Sequence, residues 1–496
     1  MKTPSTAKQA KKKTTAPPKY DLIILGGGVC GLAAAYEYLG QNPNHQVLLL
    51  EKEERLGGLA RSLTLGDQVA DMGPHRLHTE IPEVREFLLQ YAEKELKTVK
   101  RKSSMYLKGT WIDYPPKPLE ILRVLGFAAI VKVFASYGRT FIRTLAGLEK
   151  SKPDHFEQVM CSAFGEELYQ LIVLDYTQKV WKRNPKQIHG DIARVRVSAG
   201  GLQRMVKRVL VGEQKGQETA LPEFLYLPGG VETLIKKLAA DTQQRGLNVQ
   251  CSTSVENLIQ QNGSWRIDVQ ANNQQSHFSA RQVLSTIPVT DLGRILLKST
   301  PDATVENALK ESKFIANFLI LVLLKRPRLT QNQWLYFPGQ ETIFNRGYEP
   351  KNFSETMGSK DQCLVMFEIT CYEGSSIWHA SDEKLIRQTL KDCMKIDLFN
   401  AEDVAETSVF RIPHTYPLYD LEYRERMARV WKYLGSFPGL LSTGRQGLFL
   451  HNNMDHSIFM GFESARLLAK ESQGDQCDSK PWYNRIREFQ EFRIVD

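Results

Sequence analysis

Asp21-Leu22-Ile23-Ile24-Leu25 is an apolar run ending at glycines, which predicts a short buried strand. Leu32-Ala33-Ala34-Ala35 then opens a helix, and Val47–Leu50 is a second apolar run closed by Glu51. Behind Gly229-Gly230, the residues Leu234, Ile235, Leu238 and Ala239 lie at helical spacing. Val249–Ile259, Trp265–Val269 and Gln282–Ile287 read as strands. Phe314–Leu324 is a long apolar run that stops at Lys325-Arg326-Pro327, so a buried strand is expected rather than a helix. Leu441–Leu468 reads as strand, turn and the helix Ile458–Lys470. From about 100 to 220 the chain has little glycine and reads as mixed and helix-rich. Strand, glycine turn and helix thus recur at the start, the middle and near the end.

The pattern predicts an α/β fold: a Rossmann-type dinucleotide domain assembled from discontinuous segments, with an inserted α+β substrate domain. The expected pieces of the first are 20–100, 222–295 and 439–472. The second is expected from a helix-rich cap region, 101–221, and a sheet, 296–438, with tails at 1–19 and 473–496.

Composition changes this picture little. A chain of 496 residues with 42% hydrophobic content needs more than one core. The net charge of +9 has a local source in Lys2, Lys8, Lys11, Lys12, Lys13 and Lys19. Those lysines sit among Ser, Thr, Ala, Gln and Pro, a mixture that cannot bury enough apolar surface to fold. A solvated tail is expected there, not a nucleic-acid arm, and no apolar segment follows to make it a signal peptide. Seven cysteines, an odd number with no CxxC pair, point to a reducing compartment, the cytoplasm, and to no structural metal. The stretch 121–148 is apolar but broken by Arg123, Lys132, Arg139 and Arg143, so amphipathic helices are expected. A domain surface, a subunit contact in a homo-oligomer and a peripheral membrane contact all fit it.

The chemistry starts at Gly26, Gly28 and Gly31, spaced GxGxxG. The first glycine makes the tight turn, the second lets backbone approach a pyrophosphate, and the third lets helix pack on strand. The helix N-terminus then offers unpaired N–H groups to phosphate. Glu51, twenty residues after Gly31, can accept from a ribose hydroxyl. GxGxxG alone is weak; strand, glycines, helix, strand and acid in register predict a bound dinucleotide. Gly57 and Gly58 give a second close approach, and Arg55 and Arg61 can meet phosphate charge.

The segment from Glu51 to Ser62, E-x3-R-x-G-G-x-A-x-S, resembles the second motif of the flavin amine oxidase superfamily. That group includes monoamine oxidases, protoporphyrinogen oxidases, carotenoid desaturases and UDP-galactopyranose mutases. The resemblance implies FAD as cofactor. Asp71-Met72-Gly73-Pro74-His75 resembles the mutase segment beside the isoalloxazine ring, implying Gly73 at the cofactor and His75 as a flavin neighbour. Phe224–Gly230 is similar to the oxidase and desaturase strand-turn-helix, and implies that the Val255 backbone reaches the adenine. Gly444-Arg445-Gln446-Gly447 and Asn453-Met454-Asp455-His456-Ser457 resemble the mutase C-terminal flavin motif. By that likeness Gly444, Arg445, Met454, Asp455 and Ser457 hold the cofactor, with Asn453 and Asp455 beside the flavin. As residues alone, Asp455 and Ser457 also suit a helix N-terminus.

The inserted part is similar to the mutases. Tyr176-Thr177-Gln178-Lys179-Val180-Trp181 implies Tyr176 and Trp181 in a uridine and sugar pocket. Trp334–Pro338 with Phe344-Asn345-Arg346 implies that Tyr336 and Arg346 contact a diphosphate. Tyr416 matches a further substrate tyrosine, and Arg194 or Arg196 a second diphosphate arginine. His451 and Asn453 depart from the tyrosine and acid of bacterial mutases, although an imidazole can still donate to phosphate. A lone Trp or Tyr is usually packing, so the weight rests on joint spacing. The resemblance puts the chemistry on flavin N5, and no catalytic side chain is assigned. The expected substrate is a nucleotide sugar. The alternative is an oxidase or desaturase of the protoporphyrinogen or amine oxidase type, which Phe224–Gly230 and the apolar 121–148 favour.

Overall fold

The computed structural model describes residues 19–92, 95–114, 120, 123–124, 126–145, 154–197, 223–261, 263–471, 478–492 and 494. The lysine tail before Lys19 lies outside them.

Lys19–Leu25 stands in the middle of the first sheet, parallel to Val47–Leu50 on one side and to Gln274–Ser285 on the other. Leu247–Gln250 lies parallel beyond Val47–Leu50, and Leu440–Ser442 pairs parallel with the end of Gln274–Ser285. Three pieces of sequence thus share one sheet, as the recurring strand–glycine–helix pattern predicts. Leu22–Leu25 and Val47–Leu50 are almost fully buried. Helices cover both faces of a parallel sheet, so its strands read as continuous apolar runs. The helices Val29–Gln41 and Met454–Glu471 pack so closely that a Cβ on Gly461 would stand 2.6 Å from the Cys30 carbonyl oxygen.

The run expected as one strand from Val249 to Ile259 is two. Leu247–Gln250 and Thr253–Gln261 are separated by a turn in which Ser252 takes φ +50°. The turn takes the chain off the parallel edge and into an antiparallel meander with Ser264–Ala271 and Gln274–Ser285.

The second sheet runs in the order Val404–Pro417, Phe314–Leu324, Cys363–Tyr372, Arg346–Tyr348, Trp334–Tyr336, Ser103–Leu107 and Thr110–Asp113. All its pairings are antiparallel except Trp334–Tyr336 with Ser103–Leu107. Phe314–Leu324 is the buried strand expected, with every residue buried. Its Phe318, Ile320 and Val322 enter one core cluster and Leu319, Leu321 and Leu323 another. Burial on both faces erases the period-two signal.

The stretch read as helix-rich opens instead with a hairpin, Ser103–Leu107 and Thr110–Asp113, at the edge of this sheet. Helices follow at Phe127–Leu145, Phe156–Phe164, Leu174–Trp181 and Gly190–Val197. A π-helical turn, Tyr169–Val173, leads directly into the helix that bears Tyr176. Among the described residues no helix is long and apolar enough to cross a membrane.

Candidate active site

The glycine turn after the central strand leaves no room for side chains at Gly26 and Gly31. Gly26 has φ +101°, and a Cβ on Gly31 would stand 2.2 Å from the Gly26 carbonyl oxygen. The second glycine pair leans on the first. The Gly57 N–H donates to the Gly27 carbonyl at 2.8 Å, and a Cβ on Gly58 would stand 3.2 Å from the Gly28 Cα. Glu51 closes the adjacent strand and is buried. Its Oε2 accepts from the Gly27 N–H at 2.7 Å and its Oε1 from the Glu53 N–H at 2.9 Å. Each oxygen keeps a lone pair for a hydroxyl donor. Gly444, at φ +82°, brings the third sequence piece to within 3.0 Å of the Cys30 Sγ, measured from its ideal Cβ position.

These turns open on a cleft of about 760 Å³ between the two sheets. Gly26, Gly28, Glu51, Gly57, Gly58, Arg61, Val255 and Gly444 line its glycine-turn end. Gly73, His75, Arg445, Asn453, Met454, Asp455 and Ser457 line it further along. There His75 Nδ1, Asn452 Nδ2 and Asp455 Oδ1 are buried with no hydrogen-bond partner among the described residues. Such atoms cost about 1–3 kcal/mol each when left unmet, so they mark where a polar ligand belongs. Burial, with the Arg445 charge adding to it, pushes the His75 imidazole down to about 4. His75 is therefore neutral at neutral pH. Arg445 is held by the Asn452 carbonyl and side-chain oxygens, at 3.1 and 3.3 Å from its Nε. The start of the helix Met454–Glu471 faces the same region and brings the positive end of its dipole. Backbone cradles at one end, orphaned polar atoms in the middle and a helix start beside them fit an extended flavin dinucleotide.

The far end is lined by Tyr176, Tyr336, Arg346, Tyr416 and His451. The Tyr336 ring lies 4.6 Å from that of Tyr114 and 6.4 Å from that of Tyr176. Arg346 sits opposite Glu368 on the neighbouring strand and binds it bidentately, at 2.9 and 2.8 Å. Glu368 also accepts from Asn317 Nδ2 at 3.2 Å. Burial works against the Arg346 charge, but the Glu368 carboxylate outweighs it and keeps the guanidinium firmly protonated. The His451 ring nitrogen Nε2 meets the Pro417 carbonyl at 2.8 Å. Lys179 ties the Tyr176 helix to the loop after Tyr336, donating to the Phe337 and Gly339 carbonyls and to Thr342 Oγ1 at 2.9, 2.6 and 2.9 Å. Burial pulls its ammonium down to about 7.

Four expected residues stand elsewhere, and a fifth cannot be placed. Gly31 lies behind the cradle, where its role is packing. Arg55 turns away from the cleft to Glu232, at 3.4 Å, and to the Ser62 carbonyl, at 3.0 Å. Trp181 is buried behind the wall, its ring 5.4 Å from that of His451 and 6.1 Å from that of Tyr416. Arg194 pairs at 2.8 Å with Asp191, three residues earlier on the same helix, and does not line the cleft. The Arg196 side chain lies outside the described residues. Conversely, Arg101, Tyr114, Asn317 and Glu368 line the cleft without having been anticipated. Two of them had a signal: Asn317 is the lone polar residue of one long apolar strand and Glu368 the lone charged residue of another, where an unpaired polar side chain is costly.

A family model described as flavin containing amine oxidoreductase matches residues 29–419. Protoporphyrinogen oxidase 2, chloroplastic/mitochondrial, of Arabidopsis thaliana is 21% identical over 508 residues, covering 93% of this chain and 96% of that one. The L-amino acid oxidase Cdc18 of Crotalus durissus cumanensis is 42% identical over 77 residues. That match covers only 16% of this chain and 15% of the oxidase. The structure of reduced UDP-galactopyranose mutase superposes with a TM-score of 0.78 at 19% identity, covering 96% of this chain and 100% of that one. At that identity the likeness speaks for the fold. The chain therefore belongs to the flavin containing amine oxidoreductase family, and its cofactor is FAD.

Proposed function

We propose that this flavoenzyme acts on a nucleotide-diphosphate sugar, in the manner of UDP-galactopyranose mutase. One observation carries the reading: guanidinium groups and tyrosine faces share the far end of the cleft. Arg101 stacks there against Tyr114 and Trp334, with its carbon Cζ 5.8 and 5.4 Å from their ring centroids. Its Nη1 is buried without a partner among the described residues. Arginine forks suit a diphosphate, and aromatic faces suit a base and a sugar. In this reading Arg101 and Arg346 neutralise the diphosphate, Arg101 taking the part expected of Arg194 or Arg196. Tyr114, Tyr176 and Tyr336 orient the base and sugar. Neutral His75 acts as a hydrogen-bonding group rather than a proton store. FAD, when bound, supplies the bond-making chemistry, and the side chains supply position and charge neutralisation.

A second reading, an oxidase or desaturase of the protoporphyrinogen or amine oxidase type, draws support from the near full-length match to the plant oxidase. One experiment divides them. The purified protein is reduced anaerobically and given UDP-galactose, then a panel of sugar nucleotides. Furanose product is expected. Silence toward every sugar nucleotide, with turnover of a porphyrinogen or amine in air, would overturn the mutase reading.

A further inference from the structure

The helix Phe127–Leu145 turns an apolar stripe outward. Phe127, Val131, Phe134 and Ile142 are 76%, 50%, 57% and 63% exposed. Their spacing of four, three and eight residues puts them within roughly 80° of one another around the helix axis. The opposite side holds buried Val133 and Ser136, with Val133 packed beside Leu168 and Ile172. Among the described residues only Trp111, Met394 and Leu421 are comparable exposed apolar side chains, and they belong to other elements. Four large exposed apolar side chains on one helix face mark an interaction surface rather than ordinary surface composition.

Charge selects the occupant. The helix carries Lys132, Arg139 and Arg143 and no acidic residue. Lys132 and Arg139 are exposed and fall on one flank of the stripe, roughly 100° round the helix from its centre. An apolar stripe with a basic flank is the pattern of a helix lying in a lipid interface. We propose that Phe127–Leu145 seats this protein on an anionic phospholipid bilayer, with the stripe among the acyl chains and the basic flank at the headgroups. Ile172, beneath the helix, also packs on Met105, Leu107 and Ile112 beside Tyr114 and Tyr336. The attachment therefore lies on the substrate side of the molecule.

The test uses the full FAD-loaded chain and sucrose-loaded vesicles of phosphatidylcholine, alone or with phosphatidylglycerol. The protein should pellet with the anionic vesicles, and less as salt rises. Phe134→Ser with Ile142→Ser should lower partitioning by about a hundredfold. Flavin content and the unfolding midpoint should not change, because both side chains are exposed. Lys132→Ala with Arg139→Ala should weaken binding to anionic vesicles by roughly twentyfold and leave pure phosphatidylcholine unaffected. Failure of the wild type to pellet, or pelleting that survives the serine pair, overturns the proposal. So does a serine pair that only converts a dimer to a monomer, since the stripe would then be a subunit contact. None of these readouts depends on the substrate.

Discussion

At the glycine end of the cleft the wall is backbone; at the far end it is side chain. Gly28 meets Gly57 and Gly58 there, with no room for a Cβ at Gly31 and only a tight fit at Gly58. Arg346, Glu368 and Asn317 instead meet across three strands of the second sheet. The first kind of wall is a short-range steric requirement, met within a few residues of chain. The second is an electrostatic arrangement between residues far apart in sequence. A steric wall should fail abruptly when its spacing is broken. An electrostatic one should fail by measurable amounts and leave the other end intact.

The largest effect is expected at Gly31. Gly31→Val drives a side chain into the Gly26 carbonyl, 2.2 Å from the first added atom. The purified variant should carry at least tenfold less FAD, and its stability should fall by about 3 kcal/mol or more. A stoichiometric yellow protein would show that the cradle tolerates a looser approach than the glycines imply.

Glu368→Gln should come next. It leaves the Arg346 charge at the cleft wall without its carboxylate, at a cost of about 3 to 5 kcal/mol by urea unfolding. FAD content should hold. Loss of FAD in step with stability would mean that the two ends are not separable.

His75 lies between them and tests the boundary through pH. Its folded value, about 4, is below the unfolded value of about 6.5. The unfolded chain therefore takes up a proton that folded His75 refuses, and stability falls as pH drops from about 6.5 to about 4. His75→Gln should flatten that decline by about 3 kcal/mol in flavin-free protein. An unchanged pH profile would argue that His75 titrates normally.

The smallest effect belongs to Arg55. It is half exposed and paired with Glu232 outside the cleft. Arg55→Ala should cost under about 1 kcal/mol and leave FAD bound. A variant purified without flavin would return Arg55 to the cofactor site.

Legibility in the sequence followed the same division. The glycine spacings, Glu51 and the buried run Phe314–Leu324 were readable because each is a local requirement on one stretch of backbone. Arg55 and Arg194 illustrate the limit. Both are arginines near a motif, yet Glu232 and Asp191 draw them elsewhere. Glu232 is 177 residues from Arg55, so no local pattern announces that partner. Asp191 lies one helical turn from Arg194, and a competing i,i+3 pair was there to be seen. Arg101 and Tyr114 flank a hairpin in a stretch read as helix-rich, and join the cleft only because Ser103–Leu107 pairs with Trp334–Tyr336.

By itself the sequence determined the mixed α/β fold, the recurring strand–turn–helix pieces and, through the likeness of its motifs, the flavin. Each rests on spacing within a single segment, where sterics and hydrophobic period act on neighbours. Only the tertiary structure decided which arginines face the cleft, that Arg346 is already paired with Glu368, and that one amphipathic helix leaves its apolar stripe uncovered. Those outcomes depend on which strands lie side by side, and long-range pairing leaves no mark in the period of either strand.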